Sequence, residues 1–240
     1  MRLALITGGS RGLGLALVEQ LRQLGYTVID FSRSAPHPFS VAVDLAQPAD
    51  YGVLLARALS GIDADKLEQL LVINNAGTLD PIGPAASKDR AQLIANLSTN
   101  FTSGIVFIAE AIARFQGARC RKIIANISSG AALKGYAGWS LYCAAKAGLD
   151  NFIRAVAAEQ QAEVTPFLPI NVNPGVMDTE MQALIRSSSS SDFPDVSRFI
   201  RRQEQGELNP PAVVAAAILA IFAQDTLQAG ERYDIADFLG

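Results

Sequence analysis

The chain has 240 residues, half of them apolar, and a formal net charge of −3. That length suits one α/β domain able to bury a sizeable core. The charge gives no electrostatic footing for nucleic acid or an anionic membrane as partner, and the short, interrupted apolar runs leave nothing to span a bilayer. The two cysteines, Cys120 and Cys143, have no metal-ligand spacing and read as free thiols in a reducing, cytoplasmic setting. No leader is expected, since Met1 runs almost directly into LALITGG. The single histidine, His37, sits in the Pro-rich loop SAPHPFS as a surface residue, which argues against a His-based triad or a His-rich metal site.

Residues 3–6 read as a short buried strand, 15–24 as an amphipathic helix closed by Gly25, and 26–32 as a second strand. Between the first strand and the helix lies TGGSRGLG, a turn of the form T-G-x-x-x-G-x-G set by Thr7, Gly8, Gly12 and Gly14. Its place, where a strand end meets a helix N-terminus, presents backbone N–H groups to an anion, and its glycines allow a pyrophosphate close approach. The tip of the second strand reads the ribose in such a unit. Ser32 and Arg33 fall there, and a hydroxyl with a guanidinium suits a 2′-phosphate, so NADPH is expected over NADH. Arg11 is a second candidate for that phosphate. Asp30 is the competing reading, because a register two residues shorter would put an acid at the tip.

A third strand over 39–43 ends at Asp44-Leu45, where Asp44 can meet an adenine amino group or cap the helix that follows at 51–59. A fourth strand, 70–73, runs into the amide-rich NNAG of Asn74, Asn75, Ala76 and Gly77. Residues 89–115 read as a long helix interrupted by Asn100, a polar residue that helix patterning alone would turn to solvent. A fifth strand over 122–128 leads into SSGAALKGYAGWSLYCAAK, residues 128–146. There Tyr142 and Lys146 are one helical turn apart on the same face. A nearby ammonium favours the phenolate and so lowers a phenol's pKa from about 10 toward use as a general acid. After an alanine-rich helix (142–158) and a sixth strand within 164–172, Asn173-Pro174-Gly175 makes a sharp turn. Residues 176–208, with the serine run 187–191, read as a mobile substrate lid. A helix at 211–222 and a last strand at 232–235 complete the chain. Alternating strands and helices, with no repeat and no linker, predict a single-domain, doubly wound parallel sheet in a three-layer α/β/α stack, its ligand at the carboxyl ends of the strands.

On these motifs the chain resembles the short-chain dehydrogenase/reductase family over essentially its whole length. SRGLG (10–14), NNAGTL (74–79), GWSLYCAAKA (138–147), PGVMDTEMQ (174–182) and GERYDIADF (230–238) bring it near the sepiapterin reductase and benzil reductase branch. The resemblance implies a Rossmann fold and a catalytic tetrad on Asn100, Ser129, Tyr142 and Lys146. It assigns proton donation to Tyr142, polarisation of the carbonyl oxygen to Ser129, pKa control and ribose binding to Lys146, and a relay water to Asn100. It implies cofactor contacts from Gly8, Ser10, Arg11, Gly12, Leu13 and Gly14 of the glycine turn, and from Ser32, Arg33, Asp44 and Leu45. Asn75, Ala76, Gly77, Tyr142, Lys146, Pro174, Gly175, Val176 and Thr179 complete that set. A substrate pocket is expected at Leu79, Trp139, Met177 and Met181, with Pro81, Tyr136 and Val176 beside them. Asp234 or Asp237 is the acid expected to anchor a pterin. The activity implied is NADPH-dependent reduction of a ketone or 1,2-dicarbonyl, with no metal. A homodimer or homotetramer through helices 100–116 and 142–158 is implied as well. Two alternatives compete: a non-catalytic NADP-binding sensor on the same fold, and an isomerase or lyase. An intact tetrad disfavours the sensor. The glycine spacing and the lack of a larger C-terminal region disfavour the isomerase or lyase.

Overall fold

The structure, a computed structural model, describes residues 1–34 and 37–239, so Ala35 and Pro36 of the Pro-rich loop lie outside the described residues. Strand β1 (Arg2–Thr7) buries Leu3, Ala4, Leu5 and Ile6 completely. An apolar run covered on both faces is what a central parallel strand requires. Helix α1 (Gly12–Gln23), β2 (Thr27–Ser32) and β3 (Ser40–Ala42) follow. Helix α2 (Pro48–Leu59) starts three residues earlier than its apolar periodicity suggests, because Pro48 is well suited to a first-turn position that needs no N–H bond. Next come β4 (Gln69–Asn74), α3 (Arg90–Leu97), α4 (Ser103–Phe115) and β5 (Arg121–Ile127). The chain closes with α5 (Ser140–Gln160), β6 (Leu168–Asn173), α6 (Glu180–Arg186), α7 (Val196–Glu204), α8 (Pro211–Phe222) and β7 (Arg232–Asp234).

Among the described residues the strands form one seven-stranded parallel sheet in the order β3-β2-β1-β4-β5-β6-β7. Helices α1 and α8 pack on one face, and α2, α4 and α5 cover the other, each over its own apolar core. This is the doubly wound α/β/α sandwich of the Rossmann type. Strand order reverses between β1 and β4, which opens a crevice at their carboxyl ends.

One departure from the sequence reading bears on the site. The long helix expected over 89–115 is two helices, α3 and α4, joined by a π-helical turn at Ser98–Thr102. Asn100 sits in that turn and is 2% exposed, so it faces inward, where helix patterning alone would have turned it to solvent. The segment 176–208 carries two short helices. Its helices α6 and α7 bring Ile185, Phe193, Val196 and Phe199 onto Trp139 to form a third apolar cluster beside the crevice. Gly138, with φ +86°, fits this contact tightly, since a Cβ there would lie 2.1 Å from the Asp192 carbonyl oxygen. Among the described residues no helix is long and apolar enough to cross a membrane.

Candidate active site

The crevice is a cleft of about 880 Å³ running from the glycine turn past the ends of β2 and β4 to Tyr142 and Lys146. Backbone packing shapes its floor. Gly14 approaches the turn so closely that a Cβ would lie 2.0 Å from the Gly8 carbonyl oxygen and 2.6 Å from Asn75 Nδ2. Asn75 Nδ2 donates to the carbonyls of Thr7 and Gly8, both at 3.1 Å, and Thr7 Oγ1 accepts from the Asn75 and Ala76 amides at 3.0 and 3.1 Å. The turn and the NNAG segment therefore lock each other. Arg11, at the N-cap of α1, supplies no side-chain acceptor, so the first-turn N–H groups of that helix remain available to an anion.

Asp30, the acid that competes for the β2 tip, is turned away from the cleft. It is fully buried and accepts from the Gly9 amide at 2.7 Å, Ser32 Oγ at 2.7 Å and Ser40 Oγ at 3.0 Å. With its carboxylate turned inward to pin the turn, Ser32 at the end of β2 and Arg33 just beyond it line the cleft. Arg11 lines it too, but its guanidinium is bonded to Glu180 at the start of α6, across the cleft mouth. Asp44, Leu45, Asn75, Ala76, Gly77, Pro174 and Thr179 all line this cleft, whereas Gly175 and Val176 line a second one. Asp44 does not cap α2; its carboxylate accepts from Ala46 N at 3.0 Å and stays exposed at the rim.

The second cavity, about 390 Å³, opens beyond Tyr142 and holds Ser129, Trp139, Met177, Met181, Leu79 and Tyr136 in its wall. Trp139 is only 6% exposed and stacks on Phe193 with ring centroids 4.4 Å apart, so much of its surface serves the third cluster. Pro81 lies in the first cavity, not this one. Of the two C-terminal acids, Asp234 lines this cavity and Asp237 does not. Asp234 also accepts from Asn173 Nδ2 at 2.6 Å.

Tyr142 and Lys146 project from the first turns of α5, and both are buried. Lys146 Nζ donates to the Ile127 carbonyl at 2.7 Å, which aims it back at β5. Burial disfavours its charge and lowers its pKa to about 8, while Asp150, one turn further along α5, opposes that shift. Burial pushes the Tyr142 phenol up to about 12, and the neighbouring Ser129 hydroxyl works against it. The lowering of the phenol pKa expected from the Tyr–Lys spacing therefore does not appear, because desolvation outweighs the Ser129 hydrogen bond that opposes it. Asn100 lines neither cavity. Its amide is spent on Thr78, accepting from the Thr78 N–H and donating to the Thr78 carbonyl, each at 2.8 Å, and on Asn96 Oδ1 at 2.9 Å. A Cβ added to Gly77 would lie 3.3 Å from Asn100 Oδ1 and 3.9 Å from Lys146 Nζ, so bare backbone separates the two.

The glycine-floored cleft at the N-terminus of α1 ends on the buried Tyr142–Lys146 pair. The short chain dehydrogenase family profile matches residues 2–190, and the chain belongs to that family, whose members bind a nicotinamide cofactor. It is 38% identical to benzil reductase ((S)-benzoin forming) of Bacillus subtilis, across the full length of both chains. It is 32% identical to sepiapterin reductase of Mus musculus, covering 97% of this chain and 95% of that one. Among solved structures, a short chain dehydrogenase/reductase from Saccharomyces cerevisiae superposes with a TM-score of 0.83 over the whole of both chains at 24% identity.

Sequence reasoning missed Arg232 and Asp150. They meet beside Ser128 and Ser129 although 82 positions apart in the chain; Arg232 lies inside the GERYDIADF segment, but nothing in that segment pointed to Asp150 or to the serines.

Proposed function

We propose that the protein is an NADPH-dependent carbonyl reductase that converts a ketone or 1,2-dicarbonyl, of the benzil or sepiapterin kind, to the alcohol. The observation that carries this reading is the place of Tyr142. Among the described residues it is the one titratable side chain that lines both the 880 Å³ cleft and the 390 Å³ cavity. A group at that junction can serve a carbonyl held in the smaller cavity and a cofactor held in the larger.

The residues present fit a nicotinamide dinucleotide: the glycine turn and α1 N-terminus for the pyrophosphate, Ser32 and Arg33 for a 2′-phosphate, and Lys146 for the nicotinamide ribose. When bound, that cofactor supplies a hydride. The Tyr142 hydroxyl, neutral at every physiological pH, gives its proton to the carbonyl oxygen on which negative charge develops. Ser129 donates a hydrogen bond to the same oxygen, a contribution of typically about 3–4 kcal/mol for one such donor. As the phenol loses its proton, the Lys146 ammonium one turn away stabilises the phenolate. Leu79, Met177, Met181 and the aromatic edge of Tyr136 and Trp139 exclude water and hold an apolar substrate. The segment 176–208 acts as the lid over that cavity. Support for the substrate class comes from these apolar walls and from the full-length likeness to enzymes named for benzil and sepiapterin.

The test is NADPH consumption with benzil, 1-phenyl-1,2-propanedione and sepiapterin. Turnover of at least one of them well above the rate of Tyr142→Phe is expected. A wild-type rate equal to that of Tyr142→Phe on all three would overturn the reading.

A further inference from the structure

We propose that Arg232, paired with Asp150, is a positioning residue for the carbonyl-reducing site, holding the Ser129 turn in register from the far end of the chain. The proposal rests on the role given to Ser129 above. Arg232 opens β7, the last strand, and its guanidinium reaches under the end of β5. Nη1 donates to Ser128 Oγ at 2.6 Å and to the Asp150 carboxylate, and Nη2 donates to the Ser129 carbonyl at 2.9 Å. One rigid, planar cation thus fixes two consecutive serines and a carboxylate.

The turn needs such a hold. Ser129 has extended backbone and is followed by a single 3₁₀ turn, Gly130–Ala132. Within the turn, Ser129 Oγ accepts from the Ala131 amide at 3.1 Å and the Ser129 carbonyl from Ala132 N at 3.0 Å. Those bonds shape the turn but do not tie it to the sheet. The last backbone tie to the sheet is one residue earlier, where Ser128 N donates to the Val172 carbonyl of β6 at 2.8 Å, and Arg232 takes the second lone pair of the Ser129 carbonyl and carries the tie into the turn. The strand itself does not depend on this side chain, because backbone pairing already joins β7 to β6 at Asn171–Arg232, Val172–Tyr233 and Asn173–Asp234.

Asp150 is 2% exposed and lies one turn beyond Lys146 on α5. The charged groups facing it are Arg232 from β7 and Lys146 from its own helix, while β5 and β6 present the neutral Asn126 and Asn171. The Arg232–Asp150 pair therefore touches the supports of two reacting groups at once: the Ser129 turn directly, and Lys146 through charge. A hydrogen-bond donor for a developing oxyanion is sensitive to displacements of about half an ångström.

The test compares the full chain with Arg232→Met, Arg232→Lys and Asp150→Asn. Amide hydrogen exchange over 128–133 in Arg232→Met should quicken at least about tenfold, with exchange over 3–6 unchanged. Arg232→Lys should restore most of the protection. In benzil reduction, kcat of Arg232→Met should fall by about 10–100-fold, with KM for NADPH within about threefold of wild type. In Asp150→Asn the basic limb of the kcat profile should move to lower pH, since the charge that opposes the depression of Lys146 is gone. Unchanged exchange over 128–133 in Arg232→Met would overturn the proposal, as would quickened exchange with unchanged kcat. Should Arg232→Met not fold, Asp150→Asn, which loosens the guanidinium, decides instead: quicker exchange over 128–133 with a lower kcat is expected, and unchanged exchange or unchanged kcat would overturn the proposal. A wild-type protein that reduces no carbonyl would refute the proposed function, while the exchange result would still decide whether Arg232 holds the turn.

Discussion

Lys146→Met should make the ligand-free protein more stable near neutral pH while abolishing its chemistry. The lysine is 3% exposed, and burial brings its pKa from an ordinary 10.5 to about 8. Between those two values the unfolded chain holds a proton that the folded chain has released, so wild-type stability rises with pH across that window. Below it the folded state carries the full cost of a buried charge, about 3 kcal/mol. By pH 10 most of that cost is relieved, leaving under about 1 kcal/mol. Methionine removes the charge but strands the Ile127 carbonyl that Lys146 bonds at 2.7 Å, a loss of about 1–3 kcal/mol. The variant should therefore gain up to about 2 kcal/mol at pH 7 and lose that advantage by pH 10. Urea midpoints of both proteins at the two pH values supply the measurement, and titrating groups remote from Lys146 cancel in the difference. A stability difference that does not move with pH, or a variant less stable at pH 7, would refute the assignment of a strained buried ammonium.

Two further outcomes follow from the cleft and the lid. Arg33→Asp should lower kcat/KM with NADPH by about 10–100-fold more than with NADH, since a carboxylate would face a 2′-phosphate where a guanidinium now stands; equal losses would show that the β2 tip does not read that phosphate. Phe193→Ala removes a fully buried ring stacked on Trp139, a change that costs about 3–5 kcal/mol where the surroundings cannot collapse. Because that cluster is separate from the two sheet cores, the loss should appear as faster hydrogen exchange over 180–204 and a raised KM for benzil, with β1 and β4 still protected.

The sheet, its crevice and the Tyr–Lys pair were legible because each rests on local pattern. Continuous apolar runs mark buried parallel strands, glycines mark the turn, and a four-residue spacing marks one helix face. Asp30 and Ser32 show where local pattern needs the third dimension. Two residues apart on one strand, they differ in that Asp30 is absorbed by Gly9, Ser32 and Ser40, which only the packed turn reveals. Asn100 was visible as a break in helical periodicity, but its inward turn depends on a π-helical turn that no propensity scale encodes. Arg232 and Asp150 were invisible for a different reason. Their meaning lies wholly in a contact between the last strand and the middle of a long helix. The Tyr142 shift runs upward because burial outweighs the Ser129 hydrogen bond, and a four-residue spacing does not report depth of burial.

The central claim is that Tyr142 delivers the proton at the junction of the two cavities, and single-turnover oxidation of bound NADPH by benzil tests it most directly. With Tyr142→Phe the rate should fall by about 10²–10⁴-fold, while the dissociation constant for NADPH, read from nucleotide fluorescence, stays within about threefold of wild type. A Tyr142→Phe protein that binds NADPH normally and oxidises it with benzil at close to the wild-type rate would contradict the account.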